Sequence, residues 1–168
     1  VNPNVSEYIL EMHDIVKEFP GVRALKGVQL NVRPGTVHTL MGENGAGKST
    51  LMKCLIGIQP CTSGKIIFDG KEVEFKSPLQ AMNAGITMIH QELSPVPDRT
   101  VCEILWLGRF PMKNKLMCDH KRARKEAKEL FEKWNLALNP DDMMRDLTVA
   151  QQQMVEIAKA VSYDTKVV

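Results

Sequence analysis

Residues 42–50 read Gly-Glu-Asn-Gly-Ala-Gly-Lys-Ser-Thr and contain a complete Gly-x-x-x-x-Gly-Lys-Ser phosphate-binding pattern. An apolar run at residues 37–41 precedes the pattern, and a predicted helix follows it. A strand, a tight glycine turn and a helix in this order are the context in which the pattern binds phosphate. The alternative, a glycine turn followed by lysine and serine by chance, does not account for that context. The stretch therefore predicts a site for a nucleoside triphosphate.

The residue types in this loop suit phosphate chemistry. The backbone N–H groups of such a turn surround an anion, and the next helix directs the positive end of its dipole towards it. We expect Lys48 to neutralise the β- and γ-phosphates and the Ser49 hydroxyl to ligate Mg²⁺. Glycine allows backbone angles and close approaches that a Cβ atom would obstruct. The predicted nucleotide-binding set is Gly42, Glu43, Asn44, Gly45, Ala46, Gly47, Lys48, Ser49 and Thr50.

Length, charge and hydropathy narrow the class of protein. The 168 residues suit one domain with a sizeable core, and a formal net charge of +2 demands neither nucleic acid nor an anionic membrane. No apolar stretch reaches the roughly 20 residues that a transmembrane helix needs. The first residues lack a signal peptide and an initiator methionine. We therefore expect a soluble cytoplasmic piece cut from a longer chain.

The four cysteines are scattered along the chain, at positions 54, 61, 102 and 118. They form no Cys-x-x-Cys motif and have no histidine at ligand spacing, which would be the signals of a zinc or redox site. Thiols in the cytoplasm are normally kept reduced. The sequence therefore predicts reduced cysteines rather than disulfides or zinc ligands.

The first half of the chain alternates strand signals with turns. Turns are indicated at Arg33-Pro34-Gly35 and Asp69-Gly70, with two helical stretches between the strands. This order predicts an α/β fold whose sheet mixes antiparallel and parallel strands. We expect strands at residues 8–12, 28–32, 37–41, 65–68 and 86–90, and helices at residues 47–57 and 78–84.

From about residue 93 the pattern becomes helical. Apolar residues recur at helical spacing on an otherwise charged segment, which predicts an amphipathic helix. A basic run at residues 121–125 opens this helix. A nucleic-acid patch is one interpretation of that run, but interleaved glutamates favour a solvated helix face. The apolar stripe consists of Ala123, Ala127, Leu130, Phe131 and Trp134.

Three further segments stand in order around the phosphate-binding loop. Phe19-Pro20-Gly21-Val22 lies upstream at a turn, Gln91 ends the predicted strand at residues 86–90, and Leu147-Thr148-Val149-Ala150-Gln151 precedes a downstream helix. With this ordered set the chain resembles the ATP-binding subunits of ABC transporters. Within this family, the local amino-acid sequence is similar to that of the monosaccharide importers. The similar segments are residues 17–22, 41–47, 106–109 and 155–160.

This resemblance covers essentially the whole chain and carries several expectations. It implies a P-loop NTPase fold of the ABC ATPase type, with ATP and Mg²⁺ as cofactors. The implied partners are transmembrane permease subunits, a second ATPase domain of the same subunit and, indirectly, a periplasmic sugar-binding protein, with no nucleic acid. The implied location is the cytoplasmic face of the cell membrane. Galactose or methylgalactoside import is the first expectation, and ribose or another monosaccharide is the alternative.

The resemblance also implies a division of the chain. Residues 1–92 would form an incomplete ATP-binding core. Residues 93–165 would form a helical subdomain that includes the signature segment, which is the name used here for residues 147–151. Residues 166–168 would begin the Walker B strand, before which the chain is cut. The aspartate and glutamate of that strand, and a later switch histidine, would lie beyond Val168. Because phosphoryl transfer needs placed charges and an oriented nucleophile, we expect the 168-residue chain to hydrolyse ATP negligibly alone.

Two residues outside the loop take roles from the family pattern. Phe19 is expected to stack on adenine, which is worth about 1–3 kcal/mol for an aromatic platform; packing beneath the turn is the alternative. Gln91 is expected to coordinate Mg²⁺ and position the attacking water, because ligands gather at the carboxyl ends of α/β strands. An ordinary loop glutamine is the alternative. The surface that docks on the permease is expected at residues 91–110.

The signature segment departs from the usual family pattern. The serine and two glycines common in the family are replaced by Thr148, Val149 and Ala150. Thr148 and Gln151 also fit a capping box for the helix that follows, and a helix N-terminus is itself an anion site. The side chains at 149 and 150 would crowd a γ-phosphate held by the opposing domain. We hypothesise that Leu147, Thr148, Val149, Ala150 and Gln151 complete a weak or non-hydrolysing composite site.

Other function classes remain open at this point. A non-transport ABC ATPase, acting in DNA repair or translation, would show a different helical insert and a basic surface. An unrelated P-loop kinase or GTPase would need an early Asp-x-x-Gly or an Asn-Lys-x-Asp motif, and neither occurs in the chain. The sequence therefore favours the ATPase subunit of a sugar importer.

Overall fold

The computed structural model describes residues 7–89, 96–114 and 116–168. The chain divides into two compact units, one ending at Ile86 and the other beginning at Thr87. A sheet and two helices make up the first unit, and helices with a short hairpin make up the second. This content confirms the predicted α/β class and the change towards helix in the second half.

An antiparallel sheet forms the centre of the first unit. Its strands are β1 Leu10–Phe19, β2 Val22–Val32, β3 Ser63–Phe68 and β4 Lys71–Val73. They lie in the order β2-β1-β3-β4, and a two-residue turn at Pro20-Gly21 joins the first pair. The register shifts between Met12 and Ile15, where Asp14 has φ of +52°. This bulge returns Ile15 to the buried face.

Both helices predicted for the first unit are confirmed. They are α1 Lys48–Leu55 and α2 Pro78–Ala84. The second is delimited by local signals: the Ser77 side chain accepts a hydrogen bond from the Gln80 N–H, proline occupies the first helical position, and Gly85 ends the helix with φ of +103°. Such caps are readable from sequence because they depend on neighbouring residues alone.

The strand predicted at residues 37–41 is not formed. These residues have no regular secondary structure, and Val37 and Met41 are 97% and 87% exposed. A strand requires neighbouring strands to satisfy its backbone N–H and C=O groups. In the described part of the chain this segment is not a member of either sheet. The apolar composition was therefore insufficient to define a strand by itself.

The strand predicted at residues 86–90 is described only up to Ile89. Ile86 and Thr87 are buried, and the Thr87 N–H donates to the Val167 carbonyl at 2.9 Å. This backbone bond joins the two ends of the second unit. His90 lies outside the described residues.

Helices dominate the second unit. Its elements are α3 Val101–Leu105, β5 Met112–Asn114, β6 Met117–Cys118, α4 His120–Lys133, a 3₁₀ turn at Met144–Asp146, and α5 Val149–Val161. α3 begins with a capping box, in which Thr100 and Glu103 bond to each other's backbone N–H groups. The Thr100 N–H lowers the pKa of the Glu103 carboxyl, since a hydrogen bond to the ionised form favours it.

The predicted apolar stripe of α4 faces the core of this unit except at Trp134, where the prediction was wrong. Ala123, Ala127 and Phe131 are at most 3% exposed, whereas Trp134 is 50% exposed. Trp134 follows the last helical residue as the C-cap. Because the helix ends at this point, the indole does not pack against the core. The core consists of Val101, Cys102, Ile104, Leu105, Ala123, Ala127, Phe131, Met144, Leu147, Val155 and Ala158.

The basic run at the start of α4 is paired with acidic side chains. Arg122 Nε lies 2.6 Å from Glu126, Lys125 Nζ lies 3.7 Å from Glu129, and Arg124 Nε lies 2.6 Å from Asp141. Exposed pairs of this kind contribute little to stability, about 0–1 kcal/mol each. They describe a solvated helix face of mixed charge.

Burial, rather than side-chain size, sets the expected cost of truncating the α4 stripe. Phe131→Ala should lower the free energy of unfolding by about 3–5 kcal/mol, because it opens a cavity in a filled core. Trp134→Ala removes a larger but half-exposed ring and should cost markedly less. Urea denaturation followed by circular dichroism compares them. Equal losses for the two variants would contradict this assignment of the core.

Candidate nucleotide-binding site

The predicted phosphate-binding loop is exposed and leads directly into α1. Gly45 and Gly47 have φ of +85° and +91°, and Gly47 is the N-cap of the helix. The Ala46 N–H donates to the Glu43 carbonyl at 3.2 Å, which tightens the turn. The Leu51 N–H donates to the Gly47 carbonyl at 2.9 Å and begins the helical ladder. The glycine turn and the helix of the predicted arrangement are therefore present.

Gly47 is packed against the backbone of β2. A Cβ atom at this position would lie 2.8 Å from Leu25 Cδ2 and 2.9 Å from the Ala24 carbonyl oxygen. Such separations are shorter than carbon and oxygen atoms tolerate, and the positive φ adds strain for any other residue. Glycine at 47 therefore allows the helix start to sit directly on the strand.

Lys48 closes the loop on itself. Its Nζ donates to the Gly42 carbonyl at 2.6 Å and to the Glu43 carbonyl at 2.8 Å. An ammonium group has three N–H donors, so these two bonds leave one donor for an anion. The lysine is thus bent back over the loop in the position from which it can meet a phosphate.

The start of α1 has the features of an anion site. Gly47 has no side chain to cap the helix, so the first backbone N–H groups are not satisfied by a side-chain cap. Such groups, together with the helix dipole, bind phosphate. Ser49 lies exposed on the first turn, and a hydroxyl oxygen is a suitable ligand for Mg²⁺. The residues present therefore fit a phosphate with its metal ion.

Phe19 is the last residue of β1, at the turn into β2. The residue is 38% exposed, so its ring is not fully covered by the rest of the protein. Lys17 Nζ lies 5.1 Å from the ring centroid and donates to the Pro60 carbonyl at 2.8 Å. A cation at this distance is attracted to the face of an aromatic ring. Lys17, on the same strand, therefore links the Phe19 ring to the loop that follows α1.

Sequence reasoning does not single out Lys17. The available signal is its spacing from Phe19, because residues two apart on a strand lie on the same face. Gln91, the other residue predicted outside the loop, lies outside the described residues.

The signature segment forms the start of α5. Leu147 is 9% exposed and belongs to the core of its unit, while Val149 is 65% exposed. The Thr148 hydroxyl accepts from the Gln151 N–H at 3.3 Å and donates to Gln151 Oε1 at 2.9 Å. Gln151 Oε1 also accepts from the Thr148 N–H at 2.9 Å. The predicted capping box is confirmed, and the threonine hydroxyl is engaged in it.

Comparison with known proteins agrees with this geometry. A profile of the ABC transporter family matches residues 25–168. The chain belongs to the ABC transporter family. The predicted P-loop NTPase fold of the ABC ATPase type is confirmed by solved structures: a nucleotide-free ATP-binding cassette of an ABC transporter has a TM-score of 0.78 at 29% identity. It covers 92% of this chain, and the chain covers 64% of it.

Curated relatives place the chain more closely within the family. It is 53% identical over 162 residues to the galactose/methyl galactoside import ATP-binding protein MglA of Fusobacterium nucleatum, covering 96% of the chain and 32% of the relative. It is 49% identical over 168 residues to MglA of Salmonella typhimurium, covering 100% of the chain and 33% of the relative. The chain thus spans about a third of the length of these relatives. No helix in the described ranges is both long and apolar enough to cross a membrane.

The loop geometry predicts a specific requirement for Lys48. Lys48→Met should weaken binding of MgATP about 10–150-fold, since charge-assisted hydrogen bonds contribute about 1.5–3 kcal/mol. Lys53→Met is the matched control, because it removes the same charge from the last turn of the same helix. Isothermal titration calorimetry measures both affinities. An equal loss in the two variants would show that only net charge matters.

Proposed function

We propose that the chain is the nucleotide-binding part of an ABC-type subunit that powers import of a monosaccharide, with galactose or methylgalactoside as the first candidates. The proposal rests on the sequence identity of 49–53% between nearly the whole chain and MglA import ATP-binding proteins. The exposed glycine loop with its bent lysine supplies the matching chemistry. ATP hydrolysis by the whole protein would drive uptake.

The proposed nucleotide site has a phosphate end and an adenine end. The phosphates would lie at the start of α1, where Lys48 and the backbone of residues 42–50 face them. Ser49, with Gln91, would hold Mg²⁺, which neutralises phosphate charge when bound. Phe19 would stack on the adenine ring, and its partly exposed ring beside Lys17 supports that role. Gln91 would also orient the attacking water.

The partners follow from the same proposal. Transmembrane permease subunits would contact the region of residues 91–110, at the cytoplasmic face of the cell membrane. A separate sugar-binding protein would act through those subunits. A second ATPase domain of the same subunit would complete each nucleotide site, because the signature segment of one domain faces the γ-phosphate held by the other.

The signature segment would complete the weaker of two such sites. Its Thr148 hydroxyl is already bonded to Gln151, and the exposed Val149 stands at the helix start where a phosphate would approach. Glycines would allow a closer approach at that point. The backbone N–H groups of the helix start still offer weak binding of an anion.

Uptake measurements test the proposed import function. The gene for the whole protein would be placed in a strain that lacks its sugar-import ATPase, and uptake of labelled galactose, methylgalactoside and ribose would be followed. We expect galactose and methylgalactoside uptake to return, and Lys48→Ala to abolish it while Lys53→Ala does not. Ribose uptake alone would favour the alternative sugar. ATPase activity without uptake of any sugar would indicate a non-transport ABC ATPase.

The proposed weak site predicts tolerance of its side chains. Replacing Val149 and Ala150 together by glycine should change the transport rate less than about twofold, since this site contributes little turnover. Glycine also weakens a helix by up to about 1 kcal/mol per residue, so unfolding of the same variant is measured alongside. A large gain in ATP turnover by the double glycine variant would contradict the proposal of a weak site.

A further inference from the structure

Two cysteines of the first unit line the same cavity. Cys54 lies in the last turn of α1 and Cys61 lies in the loop before β3. The cavity has a volume of about 230 Å³, and Pro60, Thr62 and Phe75 are among its other lining residues. The sequence spacing of seven residues, with no metal-ligand motif, does not predict that the two thiols meet.

Local hydrogen bonds fold the loop back over the helix. The N–H groups of Ile58 and Gln59 both donate to the Lys53 carbonyl, at 3.0 and 3.2 Å. The Gly57 N–H donates to the Cys54 carbonyl at 3.2 Å, and its φ of +74° turns the chain. The end of α1 is therefore wrapped by the loop that carries the second cysteine.

Bonds to β1 hold Cys61 from both sides. The Pro60 carbonyl accepts from Lys17 Nζ at 2.8 Å, and the Thr62 N–H donates to the Val16 carbonyl at 2.8 Å. Because both neighbours of Cys61 are anchored to the same strand, its position relative to α1 is set by the fold.

The two thiols also interact electrostatically. The pKa of Cys54 is raised to about 11, first by burial and then by the charge and hydrogen bond of Cys61, while Lys17 opposes the rise. Cys54 is 4% exposed, whereas Cys61 is partly exposed. An external reagent therefore reaches Cys61 first, and Cys54 stays protonated at neutral pH until it reacts.

We infer that Cys54 and Cys61 form a dithiol modification site that closes to an intramolecular disulfide by exchange with a small disulfide of the glutathione class. This site does not depend on the proposed import function. Closing it would fasten the loop to the last turn of the helix that begins at Lys48.

The exchange takes two balanced steps. The Cys61 thiolate attacks one sulfur of the small disulfide, forms a mixed disulfide and releases one thiolate. Cys54 then loses its proton to solvent and its sulfur attacks the Cys61 sulfur, which forms the internal bond and releases the second thiolate. Two electrons pass from the dithiol to the small disulfide, which becomes two thiols.

Trypsin places both cysteines in one peptide, because cleavage after Lys53 and Lys65 releases residues 54–65. The folded protein is treated with glutathione disulfide, free thiols are alkylated, and the peptide is weighed by mass spectrometry. We expect it to lose two hydrogen masses and resist alkylation, while the exposed Cys118 carries glutathione. Glutathione on Cys118 shows that the reagent was active. If Cys118 is modified but peptide 54–65 carries two alkylated thiols, or still carries glutathione, the inference is overturned.

Two comparisons test whether the fold makes the site. Cys54→Ala should leave glutathione on Cys61, whereas Cys102→Ala, which replaces another buried cysteine, should leave the internal disulfide unchanged.

In the folded protein, closure of the mixed disulfide should quicken about 100-fold between pH 7 and pH 9, as the Cys54 thiolate fraction rises. In guanidinium chloride Cys54 is no longer buried, so the increase over the same pH range should be markedly smaller. The same pH dependence in guanidinium chloride would overturn the role of the fold.

Discussion

The close approach of Gly47 to β2 is the constraint on which the first unit depends. Because no side chain separates the two backbones, α1 begins directly on the strand, at the point where the chain leaves the glycine turn. That placement sets the origin of Lys48, whose ammonium group reaches back to the carbonyls at the start of the loop. It also sets the other end of the helix, from which the loop with Cys61 returns to β1. A single missing Cβ atom thus positions both the anion site and the dithiol.

The starts of α1 and α5 show how capping separates two sites of related chemistry. α1 has a glycine N-cap without a side-chain bond, which leaves its backbone N–H groups available to a phosphate. α5 has a capping box, in which the Thr148 hydroxyl accepts from the Gln151 N–H and Gln151 Oε1 accepts from the Thr148 N–H. An anion at α5 must compete with these hydrogen bonds. An anion at α1 does not, because no side chain caps that helix. This difference supports the proposal of a strong phosphate site in the first unit and a weak composite site at the signature segment.

Features with short sequence range were predictable. The Thr148 capping box and the α4 stripe depend on residues one to four positions apart; the structure confirms the capping box and, apart from Trp134, the buried stripe. The glycine turn and the helix that follows it are also present. The predicted strand at residues 37–41 was wrong in the described structure, because an apolar run forms a strand only beside another strand. The bond from Lys17 to Pro60 and the pairing of the two thiols were missed for a similar reason, because in each case the two groups lie on different elements.

The sequence by itself determined the family, the phosphate-binding pattern and the cap that begins α5, since turn and cap geometries are encoded in contiguous residues. Tertiary structure alone decided how closely Gly47 packs on β2, how far Phe19 is exposed, and that Cys54 and Cys61 line one cavity. Each of these depends on the path of the chain between elements. That path is set by the summed packing and backbone bonding of many distant residues, and no local pattern carries it.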